Sequence, residues 1–126
     1  MSAILCEGAV VNMATFKIFK QYIRLKNEIA ELEEEVKKFG FNSIEECATF
    51  IAIASSKKAV SKKDISNNIP FSNNSIANFV LRLEDKALII SEVDPTDSRG
   101  KTLRRLLYSP TPRGIYLYDE LKQQLQ

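Results

Sequence analysis

A polar octapeptide separates two apolar runs in the last third of the chain. Residues 94–101 read DPTDSRGK and lie between the runs at residues 88–93 and 102–108. Apolar and polar residues alternate along both runs, and a cluster of Pro, Asp, Ser and Gly is typical of a turn. The pattern predicts a two-stranded hairpin whose tip carries Arg99 and Lys101 into solvent.

Length and composition favour a single globular domain. The chain has 126 residues, of which 44% are hydrophobic and 27% charged, and these fractions are ordinary. No apolar run approaches the roughly 18 residues that span a bilayer, and the first eight residues lack the basic start of a secretory signal. The absence of histidine excludes imidazole zinc sites and His-dependent triads. We therefore expect a cytoplasmic protein that is not an enzyme and holds no metal or cofactor.

Positive charge is concentrated in the second half of the chain. Residues 56–105 carry ten Lys and Arg against six Asp and Glu, a surplus of +4. Residues 1–55 carry six against eight, or −2, and residues 106–126 carry two of each sign. This distribution favours association of the basic segment with a polyanion.

An apolar seam with alternating steps of four and three residues runs along the first 40 residues: Val11, Thr15, Ile18, Tyr22, Leu25, Ile29, Leu32, Val36 and Phe39. The seam predicts one helix of about 28 residues, or roughly 40 Å, that stops at Gly40. Such a helix is too long to bury its seam on the small domain that follows, so we expect pairing with a second copy of the chain. The dimerisation residues would be Ile18, Tyr22, Leu25, Ile29, Leu32 and Val36. The alternative is a seam that packs on the chain's own last helix.

Three helix starts follow the seam. Ser43 and Glu46 form a capping-box pattern before an apolar helix that reaches about residue 55. Ser61 has a similar pattern and opens a short helix to about residue 68. After a break at Pro70, Ser72 caps a third helix from residue 73 to about residue 86.

The order of elements is a long helix, three helices, the hairpin and a last helix that begins near Pro112. The predicted fold class is therefore mainly α with a small β-hairpin (α+β), a winged helix-turn-helix with a long N-terminal dimerisation helix. We expect three parts. Residues 1–40 would form the dimerisation helix, residues 41–110 the winged helix-turn-helix, and residues 111–126 a C-terminal helix that supports the dimer.

Three segments in this order carry a family resemblance: residues 75–90 (SIANFVLRLEDKALII), residues 94–101 and residues 109–114 (SPTPRG). They are similar to the recognition helix, the Asp-x-Arg wing and the Leu-Thr-Pro-x-Gly helix start of the multiple-antibiotic-resistance regulator (MarR) family. Residues 61–114 thus resemble this family of winged-helix repressors. The resemblance implies a homodimeric regulator that binds a pseudo-palindromic site on double-stranded DNA. Family members usually close with two long helices, whereas 12 residues follow Gly114 here, so we expect the dimer to depend on the N-terminal helix.

The third predicted helix presents a polar face made of Asn73, Asn74, Ser75, Asn78 and Arg82. Asn pairs with two atoms of adenine and Arg with two of guanine in the major groove. The hypothesis is that the three asparagines read bases, while Ser72 and Ser75 contact phosphates. The alternative is that these residues are only capping and solvated side chains, and for Ser72 capping is the favoured role.

The wing supplies the second set of candidate residues. Arg99 suits the negative potential of a narrow minor groove, and Asp97 is close enough to hold its guanidinium or to close an Asx turn. Candidate phosphate ligands are Lys62, Lys63, Lys101, Arg104 and Arg105. The two adjacent arginines point to opposite faces of a strand, so at most one faces DNA, and we assign that role to Arg104.

Two other functions stay open at this point. Winged helices also serve as protein-interaction adaptors, and a weakly specific architectural or plasmid-maintenance protein would bind DNA through phosphates alone. Cys47 lies on an apolar helix, where a free thiol is usually an inert core group, and Cys6 has no cationic neighbour. A small-molecule effector is not identified by the sequence.

Overall fold

The computed structural model describes residues 13–100 and 105–124. Its elements in chain order are α1 (Met13–Lys38), α2 (Ile44–Ala54), α3 (Lys62–Asn68), α4 (Asn73–Asp85), β1 (Ile89–Val93), β2 (Leu106–Pro110) and α5 (Pro112–Gln124). The described residues fall into two compact units, one ending at Glu35 and the other beginning at Val36. The mainly α architecture with one antiparallel hairpin confirms the predicted fold class. Within the described ranges, no helix is both long enough and apolar enough to cross a membrane.

Helix α1 stops where Gly40 predicts that it should. The N–H of Gly40 donates to the Lys37 carbonyl (3.0 Å), and the N–H of Phe41 donates to the Val36 carbonyl (3.1 Å). This pair of bonds is a Schellman motif, and it requires a residue at positive φ. Gly40 adopts φ +94°, which a residue with a Cβ atom rarely does. The turn carries Phe41 into the core, where its ring lies 5.5 Å from that of Phe50 between centroids.

Val36 corrects the predicted dimerisation set. Its side chain is 1% exposed and belongs to the core of the second unit, so it is not available to a partner chain. A core position and a seam position both require an apolar residue at the same helical spacing, and the sequence pattern therefore cannot separate them. The exposed part of the seam ends at Leu32.

The three helices that follow begin at the predicted serines. The hydroxyl oxygens of Ser43, Ser61 and Ser72 each accept a bond from the N–H three residues later, at 3.1 to 3.2 Å. At Ser61 the box is complete, because the Asp64 carboxylate accepts the Ser61 N–H in return (3.0 Å). These caps satisfy backbone donors that a helix start otherwise leaves without a partner.

Glu46 departs from the predicted capping box. Its carboxylate accepts the N–H of Asn42 (2.9 Å) rather than that of Ser43, and it forms an ion pair with Lys86, the C-cap residue of α4. Glu46 is fully buried, and its Oε1 atom has no hydrogen-bond partner among the described residues. The carboxylate is drawn away from the local pattern because its cation lies 40 residues further along the chain.

The hairpin forms the predicted wing with a shifted second strand. β1 pairs with β2 in antiparallel register from Ile89↔Pro110 to Val93↔Leu106, whereas the sequence placed the second strand at residues 102–108. Arg105 lies just before the strand, and its backbone bonds to the wing loop instead of to a strand partner. β2 begins at Leu106 because the residues before it form hydrogen bonds within the wing loop. The alternation of side chains in the sequence cannot predict such bonds.

A tight corner joins α4, β1 and α5. The Thr111 hydroxyl donates to the Ala87 carbonyl (2.6 Å) and accepts the Gly114 N–H (3.0 Å), and the Thr111 N–H donates to the Leu88 carbonyl (3.0 Å). A Cβ atom on Gly114 would lie 2.1 Å from the Leu88 carbonyl oxygen. The Thr-Pro-x-Gly segment therefore caps α5 and seats it directly on the backbone at the start of β1.

The core of the second unit is shared by α2, α3, α4, the hairpin and α5. Ile65 of α3 packs with Ile76, Val80 and Leu83 of α4 in one buried cluster, each at most 1% exposed. Tyr108 of β2 belongs to the same cluster. Since burial uses the face of α4 that carries residues 76, 80 and 83, the opposite face of this helix is left outward.

Candidate nucleic-acid interface

The outward face of α4 is polar over its first two turns. Asn73, Asn74 and Asn78 are exposed there, and Arg82 is exposed in the last turn. Asn74, Asn78 and Arg82 follow one another at intervals of four residues, so they form one stripe along the helix. The structure thus brings the predicted base-reading residues onto a single accessible face.

Ser72 and Ser75 act first on each other. The Ser72 hydroxyl accepts the Ser75 N–H (3.2 Å) and donates to the Ser75 hydroxyl oxygen (2.9 Å). Ser72 therefore has the capping role that the sequence favoured. Ser75 is half-buried in the same turn, and its hydroxyl is paired with that of Ser72.

One exposed residue on the same face was not expected. Leu81 is 60% exposed and lies one turn after Asn78, beside Arg82. Its exposure could not be predicted from the sequence, because an apolar residue next to the buried positions of an amphipathic helix is normally assigned to the core. It is a single apolar side chain in a polar stripe.

The wing holds its arginine by a two-pronged contact. The Arg99 Nε donates to both carboxylate oxygens of Asp97 (3.0 and 3.2 Å), and its NH2 nitrogen donates to Oδ2 (2.7 Å). The Arg99 guanidinium, followed by the N–H groups of Arg105 and Arg99, holds the pKa of Asp97 far below its usual value. A carboxylate so stabilised stays ionised, and it fixes the direction of an arginine that remains more than half exposed.

Asp97 also accepts hydrogen bonds from the backbone of the wing loop. Its Oδ2 atom accepts the N–H of Arg105 (2.8 Å) and its Oδ1 atom accepts the N–H of Arg99 (3.1 Å). The sequence predicted two roles for Asp97, closure of an Asx turn and a fork with the Arg99 guanidinium. One side chain performs both. The preceding turn is closed by Asp94, whose carboxylate accepts the N–H and the hydroxyl of Thr96 (2.9 and 2.7 Å).

Of the predicted phosphate ligands, the structure describes some and not others. Lys62 and Lys63 are exposed in the first turn of α3. Lys101 and Arg104 lie outside the described residues. Arg105, the neighbour of the predicted DNA-facing Arg104, is exposed, and its backbone is held by hydrogen bonds.

The predicted dimerisation residues before Val36 lie exposed on α1. Ile18 is 62% exposed and Leu32 37%, and Tyr22, Leu25 and Ile29 fall between these values. Other large apolar side chains of the same helix are also exposed, among them Met13, Phe16, Phe19 and Ile23. The apolar surface is therefore wider than the narrow seam read from the sequence.

The described residues show no grouping of acidic or cysteine side chains that could hold a metal ion. Cys47 is 3% exposed, and burial, with a smaller contribution from the charge of Glu46, raises the pKa of its thiol to about 11. A thiol in this state is a poor nucleophile. Cys6 lies outside the described residues.

Comparison of the whole fold with solved structures decides its class. The structure of AbsC, a MarR family transcriptional regulator from Streptomyces coelicolor, matches with a TM-score of 0.73 at 14% identity, over 90% of this chain and 74% of AbsC. The chain has the MarR-family winged helix-turn-helix fold. A MarR family regulator from Rhodococcus sp. RHA1 matches with a TM-score of 0.70 at 16% identity, over 90% and 76% of the two chains.

A third similar structure was solved with DNA. MepR from Staphylococcus aureus, in its DNA complex, matches with a TM-score of 0.61 at 20% identity, over 85% of this chain and 81% of MepR. No protein-family model matches the chain, and no curated protein matches it in sequence. Within the MarR fold, α3 and α4 form the helix-turn-helix and β1 with β2 forms the wing.

Proposed function

We propose that this chain is a sequence-specific DNA-binding transcriptional regulator that acts as a homodimer on a pseudo-palindromic site. The single observation that carries the proposal is the pairing of a polar, exposed α4 face with a wing arginine held in place by Asp97. The MarR fold and its DNA-bound example support it. The proposal includes no catalytic step and no cofactor, and it places the protein with the DNA in the cytoplasm.

The α4 stripe suits the major groove. Asn74 and Asn78 are long enough to reach base edges and carry the donor and acceptor pair that matches adenine N6 and N7. Arg82 lies two turns from the start of the helix and suits a guanine or a phosphate further along the groove. Recognition helices contact bases mainly through their N-terminal residues, which agrees with asparagines concentrated in the first two turns.

The wing suits the minor groove. Arg99 is exposed but directed by its fork with Asp97, so little conformational freedom is lost when it inserts. A narrow A·T-rich minor groove has a strongly negative potential that favours a guanidinium. The role of Asp97, an acidic residue in a basic wing, is thus to position Arg99.

A second copy of the chain best explains the apolar side chains of α1. Tyr22, Leu25 and Ile29 are each about half exposed, and their spacing is that of a helix-pairing seam. A contiguous apolar surface of this kind usually marks an interface. Two copies would present two α4 helices and two wings to a DNA site with inverted symmetry.

The adaptor function finds little support on α4. An adaptor needs an apolar cluster on that face to bury against protein, and Leu81 alone does not supply one. The architectural function differs from the proposal only in sequence preference, so the binding experiment separates the two.

Selection of genomic fragments on the purified protein, at near-physiological salt, tests the proposal. We expect enrichment of a few sites that share an inverted repeat. Uniform retention of fragments would instead indicate architectural binding, and no retention would favour the adaptor. On a selected site, Arg99→Ala should weaken binding about ten- to a hundredfold, as for a groove-inserted arginine, while loss of its exposed pair with Asp97 should lower the melting temperature only slightly.

The dimer is tested by a charge-bearing double variant of α1. Leu25→Lys with Ile29→Lys should give monomers in sedimentation velocity, because two ammonium groups cannot be buried without partners. The matched control is Glu31→Lys with Glu34→Lys, which adds the same side chains off the seam and should stay dimeric. If the first variant remained dimeric, the interface would have to lie elsewhere.

A further inference from the structure

A cationic cleft lies between the helix-turn-helix and the base of the wing. It has a volume of about 270 Å³ and is lined by Ser61, Lys62, Lys63, Arg105, Leu106 and Tyr108. That volume corresponds to roughly nine water molecules in the liquid, so it accommodates a hydrated phosphate group. One wall is the first turn of α3 and the other is the residue before β2 with the first residues of that strand. Three of these six side chains are cationic, and none is acidic.

The carboxylates near Arg105 are already engaged with other donors. Asp64 accepts the Ser61 N–H (3.0 Å), which is the main reason that its pKa lies below the usual value, with a smaller contribution from the charge of Arg105. The pKa of Asp94 is lowered mainly by the hydroxyl and N–H of Thr96, and again more weakly by Arg105. Arg105 thus influences both acids through space, while neither forms an ion pair with it within the described part of the chain.

The backbone of Arg105 is fixed without the use of its guanidinium. Its N–H donates to Asp97 (2.8 Å) and its carbonyl accepts the N–H of Asp94 (2.8 Å). The root of the side chain is therefore positioned by the same wing loop that positions Arg99. Among the described residues no carboxylate pairs with the guanidinium, so its five donors can serve a ligand of the cleft.

We propose that this cleft seats one phosphate of the DNA backbone, with Arg105 as the two-pronged ligand and Lys62 and Lys63 as the opposite cationic wall. The inference rests on the proposed function and transfers to Arg105 the role first assigned to Arg104. In a helix-turn-helix the first helix crosses the DNA backbone, which brings the start of α3 next to phosphates. A guanidinium matches two phosphate oxygens at once, and ammonium groups add point charges around them.

The salt dependence of DNA binding tests this assignment. Each neutralised phosphate contributes about 0.9 to the slope of log affinity against log salt, so between about 50 and 200 mM salt one contact accounts for a roughly 3.5-fold loss of affinity. On a duplex selected by the wild type, Arg105→Ala should lower that slope by about one and weaken binding to all sequences alike. Alanine retains both backbone bonds of residue 105, so the wing should keep its register.

Two further variants control the experiment. Arg105→Lys keeps the charge and should restore most of the slope, while losing part of the affinity that depends on the two-pronged geometry. Arg113→Ala removes an exposed arginine of α5 that does not line the cleft, and it should leave the slope unchanged. Lys62→Ala should act in the same direction as Arg105→Ala.

Different failures have different meanings. If the wild type binds its site and Arg105→Ala leaves the slope unchanged, the phosphate seat is refuted and the proposed function stands. An altered base preference in Arg105→Ala would also refute it, since phosphate contacts carry no sequence information. Calorimetry with inorganic phosphate should show no saturable binding at millimolar concentration, and saturable binding lost in Arg105→Ala would reassign the cleft to a small phosphate ligand. Absence of any DNA binding by the wild type would overturn the proposed function itself.

Discussion

The ion pair between Glu46 and Lys86 gives the sharpest stability prediction. Glu46 is fully buried at the start of α2, whereas the Lys86 side chain at the end of α4 is 26% exposed. Lys86→Met keeps the length of the side chain and removes its charge. The carboxylate would then be left with only the Asn42 N–H (2.9 Å), because Oε1 has no partner among the described residues.

The expected cost follows from the burial of the carboxylate. Removal of one partner from a buried ion pair costs about 3–5 kcal/mol, and we expect the lower end, about 3 kcal/mol, because water can reach the site of the partly exposed ammonium. In a chain of 126 residues each kcal/mol corresponds to about 3–5 °C in melting temperature, so a fall of roughly 9–15 °C is expected. Urea unfolding at pH 7, followed by circular dichroism, measures the free energy, and a thermal scan measures the temperature.

Two variants make the result decisive. Lys122→Met breaks a pair with Asp119 in which both side chains are more than half exposed (3.6 Å), and it should cost less than about 0.5 kcal/mol. Glu46→Gln combined with Lys86→Met should recover most of the loss, because the amide still accepts the Asn42 N–H and buries no charge. A cost below about 1 kcal/mol for Lys86→Met, or a double variant as unstable as the single one, would refute the reasoning.

Three other predictions concern the corner, the wing and the thiol. Gly114→Ala should cost about 3 kcal/mol in urea unfolding, since its Cβ would lie 2.1 Å from a backbone oxygen, whereas Gly100→Ala, whose new Cβ meets no described atom within 4 Å, should be near neutral. The pKa of Asp97 lies far below its usual value, so its ionised form contributes stability above about pH 4 that is lost as the pH falls further. The unfolding free energies of wild type and Asp97→Asn should therefore differ by a constant amount from pH 8 to pH 5 and converge only below pH 4. In a Cys6→Ser background, Cys47, whose pKa is about 11, should react with a disulfide reagent at pH 8 only when urea unfolds the protein, and rapid reaction in buffer would contradict its burial.

Much of the fold could be read from local patterns. Ser43, Ser61 and Ser72 each accept the N–H three residues ahead, as their positions before apolar helices predicted. Gly40 ends α1 at positive φ, as its place after a basic last turn indicated. These features are predictable because donor and acceptor are joined by a few covalent bonds and meet whatever the rest of the chain does.

Parts of the site could be read in the same way. Asp97 and Arg99 are two residues apart, so their contact depends mainly on the wing turn, and the stripe of Asn74 and Asn78 follows from helical spacing alone. The position of Arg105 just before β2 could not be read locally. It depends on where β2 begins, and that point is set by bonds from Asp94 and Asp97 across the hairpin.

The sequence by itself determined the order of the elements, the residues that begin and end most helices, and the polar face of α4. Only the tertiary structure decided that Val36 is a core residue, that Glu46 turns from its capping box to Lys86, and that Arg105 lines a cationic cleft. The physical reason is the range of each interaction. Caps, turns and helical faces are closed within four or five residues, whereas the partner of a buried charge or of an apolar side chain is whichever distant segment packing brings next to it.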